Sequence, residues 1–195
     1  MRAILGLGNP GPEYEDTRHN AGFLLADRLA ERWKLGKFRR SGPSRIAQGK
    51  RDGNPVQVIK PWTYMNRSGA ALVPLADDPS FDPAVDLMVL VDDVALDLGR
   101  FRLRANGSAG GHNGLLHIED VLGDQNYARL RIGVGPRPMA TDDLADYVLD
   151  RFTRDEREAL EATLDPMAEA VECWMDLGIE LAMSRFNRSP SNPEP

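Results

Sequence analysis

Two runs of strand length constrain this chain most. Residues 2–8 read RAILGLG and residues 86–93 read DLMVLVDD. Each is short, strongly apolar and bounded by turn or charged residues, the pattern of a buried strand. Between and beyond them the apolar spacing changes. NAGFLLADRLAERWK places Phe23, Leu24, Leu29 and Trp33 at roughly helical spacing. RIAQGKRDGNPVQVIK reads as a hairpin turning at Asp52-Gly53, and YMNRSGAALVPLA as a short helix. GRFRLR alternates as a strand, GSAGGHNG is a loop opening the helix LLHIEDVLG, and ARLRIGVG is a further strand. An acidic helix near 142–149 and two helical stretches to about Asn187 follow. Strands alternating with helices define an α/β chain: a single domain over 1–188, with a twisted, mixed and largely parallel sheet flanked by helices. The residues SPSNPEP at 189–195 are expected to be a disordered tail.

Composition narrows the class. Of 195 residues 42% are hydrophobic and 28% charged, the balance of a globular chain able to bury a sizeable core. The single Cys173 excludes an internal disulfide framework and fits a reducing compartment; its setting AVECWMDLG reads as a packed helix face. AILGLG is too short for a secretory apolar region, and no apolar run reaches membrane-spanning length. The cytoplasm is therefore the expected location, with no membrane partner. The net charge of −6 is unevenly spread. Residues 28–67 hold eleven Lys/Arg and two acids, and residues 142–180 hold thirteen acids and three Arg. Such polarity suits a side that attracts anions, or simply two solvated helix faces.

GLGNPG at 6–11 matches the dinucleotide-binding pattern G-x-G-x-x-G but fails its context. That fingerprint needs a helix opening directly at the turn and an acid ending a second strand about twenty residues on. Here Pro10 and Pro12 interrupt the turn, and Asp27 and Glu31 fall within a helix. There is no G-x-S-x-G for a hydrolase serine. His112 and His117 are five apart, and neither a Cys pair nor H-E-x-x-H is present, so no metal or other cofactor is expected.

What remains is a set of polar groups at element ends: Asn9, His19 and Asn20, Asn66, Asp92 and Asp93, and His112 and Asn113. Ligands of open α/β sheets bind beyond the carboxyl ends of strands, where Asn9 and Asp92 fall. Histidine suits general-base work near neutrality, and a carboxylate behind it fixes its tautomer. His19 with Asp92 would form such a pair and activate water. Asparagines supply uncharged donors and acceptors for a carbonyl or peptide backbone. Taken singly, each residue reads more readily as a cap, a turn or a packing residue. A second signal is cationic. Arg100, Arg102 and Arg104 alternate with Phe101 and Leu103, and Arg129 and Arg131 also share a face. Guanidinium forks match phosphate geometry; a charged edge strand guarded against aggregation is the competing reading.

Together these stretches resemble bacterial peptidyl-tRNA hydrolase. The matching blocks are GLGNPGPEYEDTRHNAG (6–22), KPWTYMNRSGAAL (60–72), VDDVALDLGRFRLR (91–104), GGHNGL (110–115) and ARLRIGVGPRP (128–138). GIELAMSRFN fits the family's last helix, so the likeness spans essentially the whole chain. It implies a cofactor-independent, metal-independent enzyme of translation that cleaves the ester joining a peptide to the 3′ ribose of tRNA and so recycles tRNA. It implies His19 as the base, Asp92 as its orienting acid, and Asn9 beside the water or carbonyl. Asn66 and Asn113 would hold the peptide backbone, with His112 also at the substrate; Tyr14 and Met65 would line the pocket. Arg104 and Arg131 would clamp the tRNA 5′ phosphate, with Arg102 nearby. Residues 136–150 would form a lid, and the enzyme would be a monomer. The chain departs from the family where D-D-L-D-L-P becomes DDVALD, where the loop before GGHNG reads ANGSA, and where a lysine after the RIG strand is missing, leaving Arg137 as its substitute. The ungapped alignment favours Asp92 over Asp93. An RNA-binding module that has lost catalysis is the alternative; a small-molecule esterase would leave the arginine stripe without a purpose.

Overall fold

DLMVLVDD is the spine of the molecule. A computed structural model of the chain describes residues 1–135 and 144–187. The strands are β1 (Arg2–Gly6), β2 (Arg39–Ser41), β3 (Ser44–Arg51), β4 (Asn54–Pro61), β5 (Leu87–Asp97), β6 (Phe101–Arg104) and β7 (Ala128–Gly135). The helices are α1 (Ala21–Arg32), α2 (Val73–Ala76), α3 (Pro83–Asp86), α4 (Asn113–Leu122), α5 (Leu144–Leu149), α6 (Arg154–Leu177) and α7 (Ile179–Phe186). Two 3-10 segments, Arg18–Asn20 and Met65–Leu72, complete the order. The strands form one sheet in the order β2-β3-β4-β1-β5-β7-β6. The sheet is mixed and α/β, as the sequence predicts, but only half of its pairings are parallel, so it is not the largely parallel one of that expectation. Its central pairs β4–β1, β1–β5 and β5–β7 are parallel, and three antiparallel pairs frame them.

β5 is apolar throughout its first five residues because both its faces are covered. Met88 and Leu90 pack with Ile4, Leu25, Leu130 and Trp174 under α1, α6 and α7. Leu87, Val89 and Val91 pack with Leu5, Leu115 and Ile118 under α4 and the 65–72 segment. Because β4, β1, β5 and β7 run the same way, their carboxyl ends share one rim of the sheet, the usual place for a ligand.

Local details refine the sequence reading. Asp52 and Gly53 both have positive φ, 51° and 82°, the two-residue turn that twists with the hairpin. The helix expected over YMNRSGAALVPLA is instead a 3-10 run broken at Arg67, then the short α2. Gly6 and Gly22 serve close approach rather than a left-handed turn. A Cβ on Gly6 would lie 2.5 Å from the Gly22 carbonyl, and one on Gly22 would lie 2.5 Å from the Leu90 carbonyl. Helix α1 thus rests directly on β1 and β5. Cys173 is half-buried beside the core rather than within it. Part of the charge polarity of the sequence is spent internally. Arg28 pairs with Glu161 and Asp165, Arg32 with Glu172, and Arg51 with Asp176, tying α6 to α1 and β3. Among the described residues no helix is long and apolar enough to cross a membrane. The expected tail and Arg137 lie outside the described residues, as does the first part of the expected lid.

Candidate active site

A cleft of about 820 Å³ opens at the carboxyl rim of the parallel strands. Its floor is built by backbone geometry. The loop after β1 carries Asn9, whose N–H donates to Asn20 Oδ1 (2.8 Å) and whose carbonyl accepts from Asn20 Nδ2 (3.0 Å). Asn9 Oδ1 in turn accepts the Met65 N–H at 2.7 Å. With its oxygen committed, Asn9 keeps its Nδ2 donor for the cleft. In sequence Asn20 is only a residue at a helix start; nothing there signals that its side chain braces Asn9.

His19 sits in the 3-10 turn ahead of α1, and its Nδ1 lies 2.9 Å from Asp92 Oδ2. Asp92 is a buried carboxylate at the end of β5's apolar run. A carboxylate can only accept, so His19 Nδ1 carries the proton and Nε2 holds the basic lone pair. The other oxygen, Asp92 Oδ1, is 3.0 Å from His112 Nε2. His112 is the N-cap of α4: its Nδ1 accepts the N–H groups of Gly114 (3.1 Å) and Leu115 (3.4 Å). That fixes the proton on His112 Nε2, which donates to Asp92. The two rings stand 4.9 Å apart, tilted by 51°. Asp93 points elsewhere, forming an ion pair with Arg131 at 2.5 Å. Asp92 rather than Asp93 therefore faces His19.

The electrostatics follow from this geometry. Burial lowers the basicity of His19, but the charge of Asp92 and the hydrogen bond to it outweigh that cost and raise the pKa above its ordinary value. Burial pushes the Asp92 carboxyl up, yet the two imidazoles and their hydrogen bonds hold it well below the usual carboxylate range. Asp92 stays ionised throughout the neutral region. His19, Asp92 and His112 also form the only group among the described residues whose ligand atoms lie close enough, within 4.8 Å, for a metal. Those atoms already satisfy one another, so a cation would have to break both hydrogen bonds.

Tyr14, Met65, Asn66 and Asn113 all line the cleft, Asn113 from the first turn of α4 and Asn66 from the 65–72 segment. Arg104 and Arg131 line its far side together with Arg129. Antiparallel register places Arg102 opposite Arg131 and Arg104 opposite Arg129, so all four share one sheet face. Arg102 stands outside the cleft lining. Arg129 is buried, donating to the carbonyls of Ser108 (3.0 Å) and Gln125 (3.3 Å), so it braces the 105–111 loop. From its spacing Arg129 merely shares a face with Arg131; the bracing role has no signal in sequence. Leu144, Val148 and Leu149 of α5, within the stretch that the resemblance implies as a lid, give the cleft an apolar wall.

A base, its carboxylate, amide donors and a cationic side on an α/β sheet mark this chain as a hydrolase. The chain belongs to the peptidyl-tRNA hydrolase family, whose model matches residues 3–194. It is 46% identical to the peptidyl-tRNA hydrolase of Gemmatimonas aurantiaca over 190 residues, 96% of this chain and all of that one. It is 45% identical to that of Gloeobacter violaceus, covering 99% of each. The fold superposes on the crystal structure of the Acinetobacter baumannii peptidyl-tRNA hydrolase with a TM-score of 0.87 at 32% identity, over 96% of this chain and 94% of that one.

Proposed function

We propose that this protein hydrolyses the ester between the peptide and the terminal 3′ ribose of peptidyl-tRNA, using water activated by His19. His19 Nε2 takes a proton from water as its oxygen attacks the ester carbonyl carbon. The tetrahedral oxyanion meets the free Nδ2 of Asn9 and amide donors around the cleft. As the carbon–oxygen bond to ribose breaks, the imidazolium returns the proton to the leaving 3′ oxygen, which gives tRNA and a free peptide acid. Asp92 stays ionised, holding the ring and stabilising its cation. His112, with both ring nitrogens engaged, acts on Asp92 rather than on substrate. Asn66 and Asn113 read the peptide backbone, next to Tyr14 and Met65. Arg104 and Arg131 take the 5′ phosphate, for which Arg131 exchanges its Asp93 partner.

The observation that carries this reading is the His19–Asp92 hydrogen bond with Nε2 left for the cleft. The same pair weighs against a non-catalytic RNA-binding module. A monomer working in the cytoplasm without metal completes the proposal. The test is to treat the protein with EDTA and offer N-acetyl-aminoacyl-tRNA and unblocked aminoacyl-tRNA side by side. Rapid release from the blocked substrate alone is expected. Binding without release, or activity that returns only on adding a divalent cation, would overturn it.

A further inference from the structure

Arg18 precedes His19 in sequence, and the mechanism above gives it no task. It is only 7% exposed, a costly place for a charge unless it is paired. Arg18 Nη2 donates to both carboxylate oxygens of Glu156, at 3.0 and 2.8 Å. Its Nη1 donates to the Tyr147 carbonyl at 3.4 Å. The guanidinium also lies over the Tyr147 ring, 4.4 Å from its centroid, and 5.8 Å from that of Phe152. The backbone repeats the connection. Arg18 N–H donates to the Asp150 carbonyl (3.1 Å), Phe152 N–H to that of Asp16 (2.9 Å), and Thr17 bridges Arg151.

On the far side of these contacts every partner belongs to α5, to the few residues after it or to the first turn of α6. Helix α5 has six residues, too few to be stable by itself. Its position must come from tertiary contacts, and those gather on Arg18. Its own Tyr147 hydroxyl adds one more, donating to the Val134 carbonyl at 2.7 Å. The face of α5 turned to the cleft presents Leu144 and Leu149, both more than 40% exposed. Apolar side chains left open along a cleft are where the uncharged parts of a substrate gain contact.

We propose that Arg18 and Glu156 form a latch that holds α5 in place as a substrate-binding wall, which makes Arg18 a positioning residue for the hydrolysis. The proposal rests on the functional reading above. The latch joins the turn that carries the base to the wall across the cleft. His19 keeps its own tie to Asp92 when the latch opens, so substrate binding suffers before chemistry does.

Glu156→Gln separates the two duties of that residue. Glutamine can still accept the Thr153 N–H of the capping box that starts α6, but it cannot pair a charge with Arg18. On N-acetyl-aminoacyl-tRNA, KM should rise about tenfold, the scale of a lost apolar contact, with kcat held within about twofold. Hydrogen exchange of the amides from Tyr147 to Phe152 should accelerate. A purely structural role would reduce the amount of folded enzyme, lowering apparent kcat at unchanged KM. An unchanged KM overturns the proposal whatever the exchange shows. Arg18→Lys keeps a cation but loses the fork and the ring contact, and it should shift KM the same way; it carries the test if Glu156→Gln fails to fold. The exchange measurement needs no substrate. A wild-type protein without hydrolase activity would therefore sink the functional reading while leaving the latch measurable.

Discussion

The two sides of the cleft follow opposite rules. Around Asp92 all the polar atoms but one are spoken for: both its oxygens accept, both nitrogens of His112 are engaged, and only His19 Nε2 is left over. Along β6 and β7, Arg104 and Arg131 are only partly buried, unlike Arg129. Arg104 has no ion pair among the described residues, and Arg131 is one-third exposed with Asp93 as its partner. On the proposed function, labour is divided between the two sides. Chemistry needs a group held in one tautomer and one orientation before substrate arrives. Phosphate capture needs charge that can adjust, because its gain comes from neutralisation and ion release.

Breaking the ordered side should cost most. His19→Ala removes the base, and kcat should fall by about 10²–10⁴, while tRNA affinity, measured by filter binding, stays near wild type. Asp92→Asn keeps the shape but withdraws the charge, so kcat should fall by a comparable factor. Its pH profile sharpens the point. In the wild type the rate rises as His19 loses its proton, with a midpoint above 6.5 because Asp92 raises that pKa. Without the carboxylate only burial remains, and the midpoint should move below 6.5. A profile that does not move would detach Asp92 from His19.

The open side should respond more gently. Arg104→Ala and Arg131→Ala should each raise KM for tRNA substrates and flatten the plot of log affinity against log salt by about one unit or less, with kcat preserved. Arg102→Ala is expected to do least, since its side chain stands outside the cleft lining. An Arg102 effect as large as that of Arg104 would mean that the phosphate path extends along β6 beyond the cleft.

How much of this is legible in the sequence depends on which residues do the placing. Asn9, His19 and Asp92 are legible because element ends point toward the carboxyl rim. An acid directly after five apolar strand residues is also costly to bury unless a partner awaits it. The central strands follow from their bounded apolar runs and α1 from its helical spacing. The contact between His112 and Asp92 is not legible, because it depends on a loop whose path is set by Ala109 in the core and by the hold of Arg129 on Ser108. Arg18 is hidden in a different way: an arginine beside a charged turn looks solvated until Glu156, 138 residues later, is seen against it. The acidic and basic segments look like a surface field, and ion pairs between α6, α1 and β3 consume only the part of it that Arg28, Arg32 and Arg51 supply. Strand β2 carries no apolar signal because all three of its residues are exposed.

The three hydrogen bonds that hold Asn9 have a consequence for when the enzyme becomes active. They join the loop after β1, the turn before α1 and the segment that begins at Met65. A chain in which that last segment has not yet docked holds a histidine and an aspartate but leaves the Asn9 amide free to rotate, so its donor has no fixed aim. Competence then arrives only with the last of the three pieces. During refolding, turnover should lag behind the recovery of secondary structure.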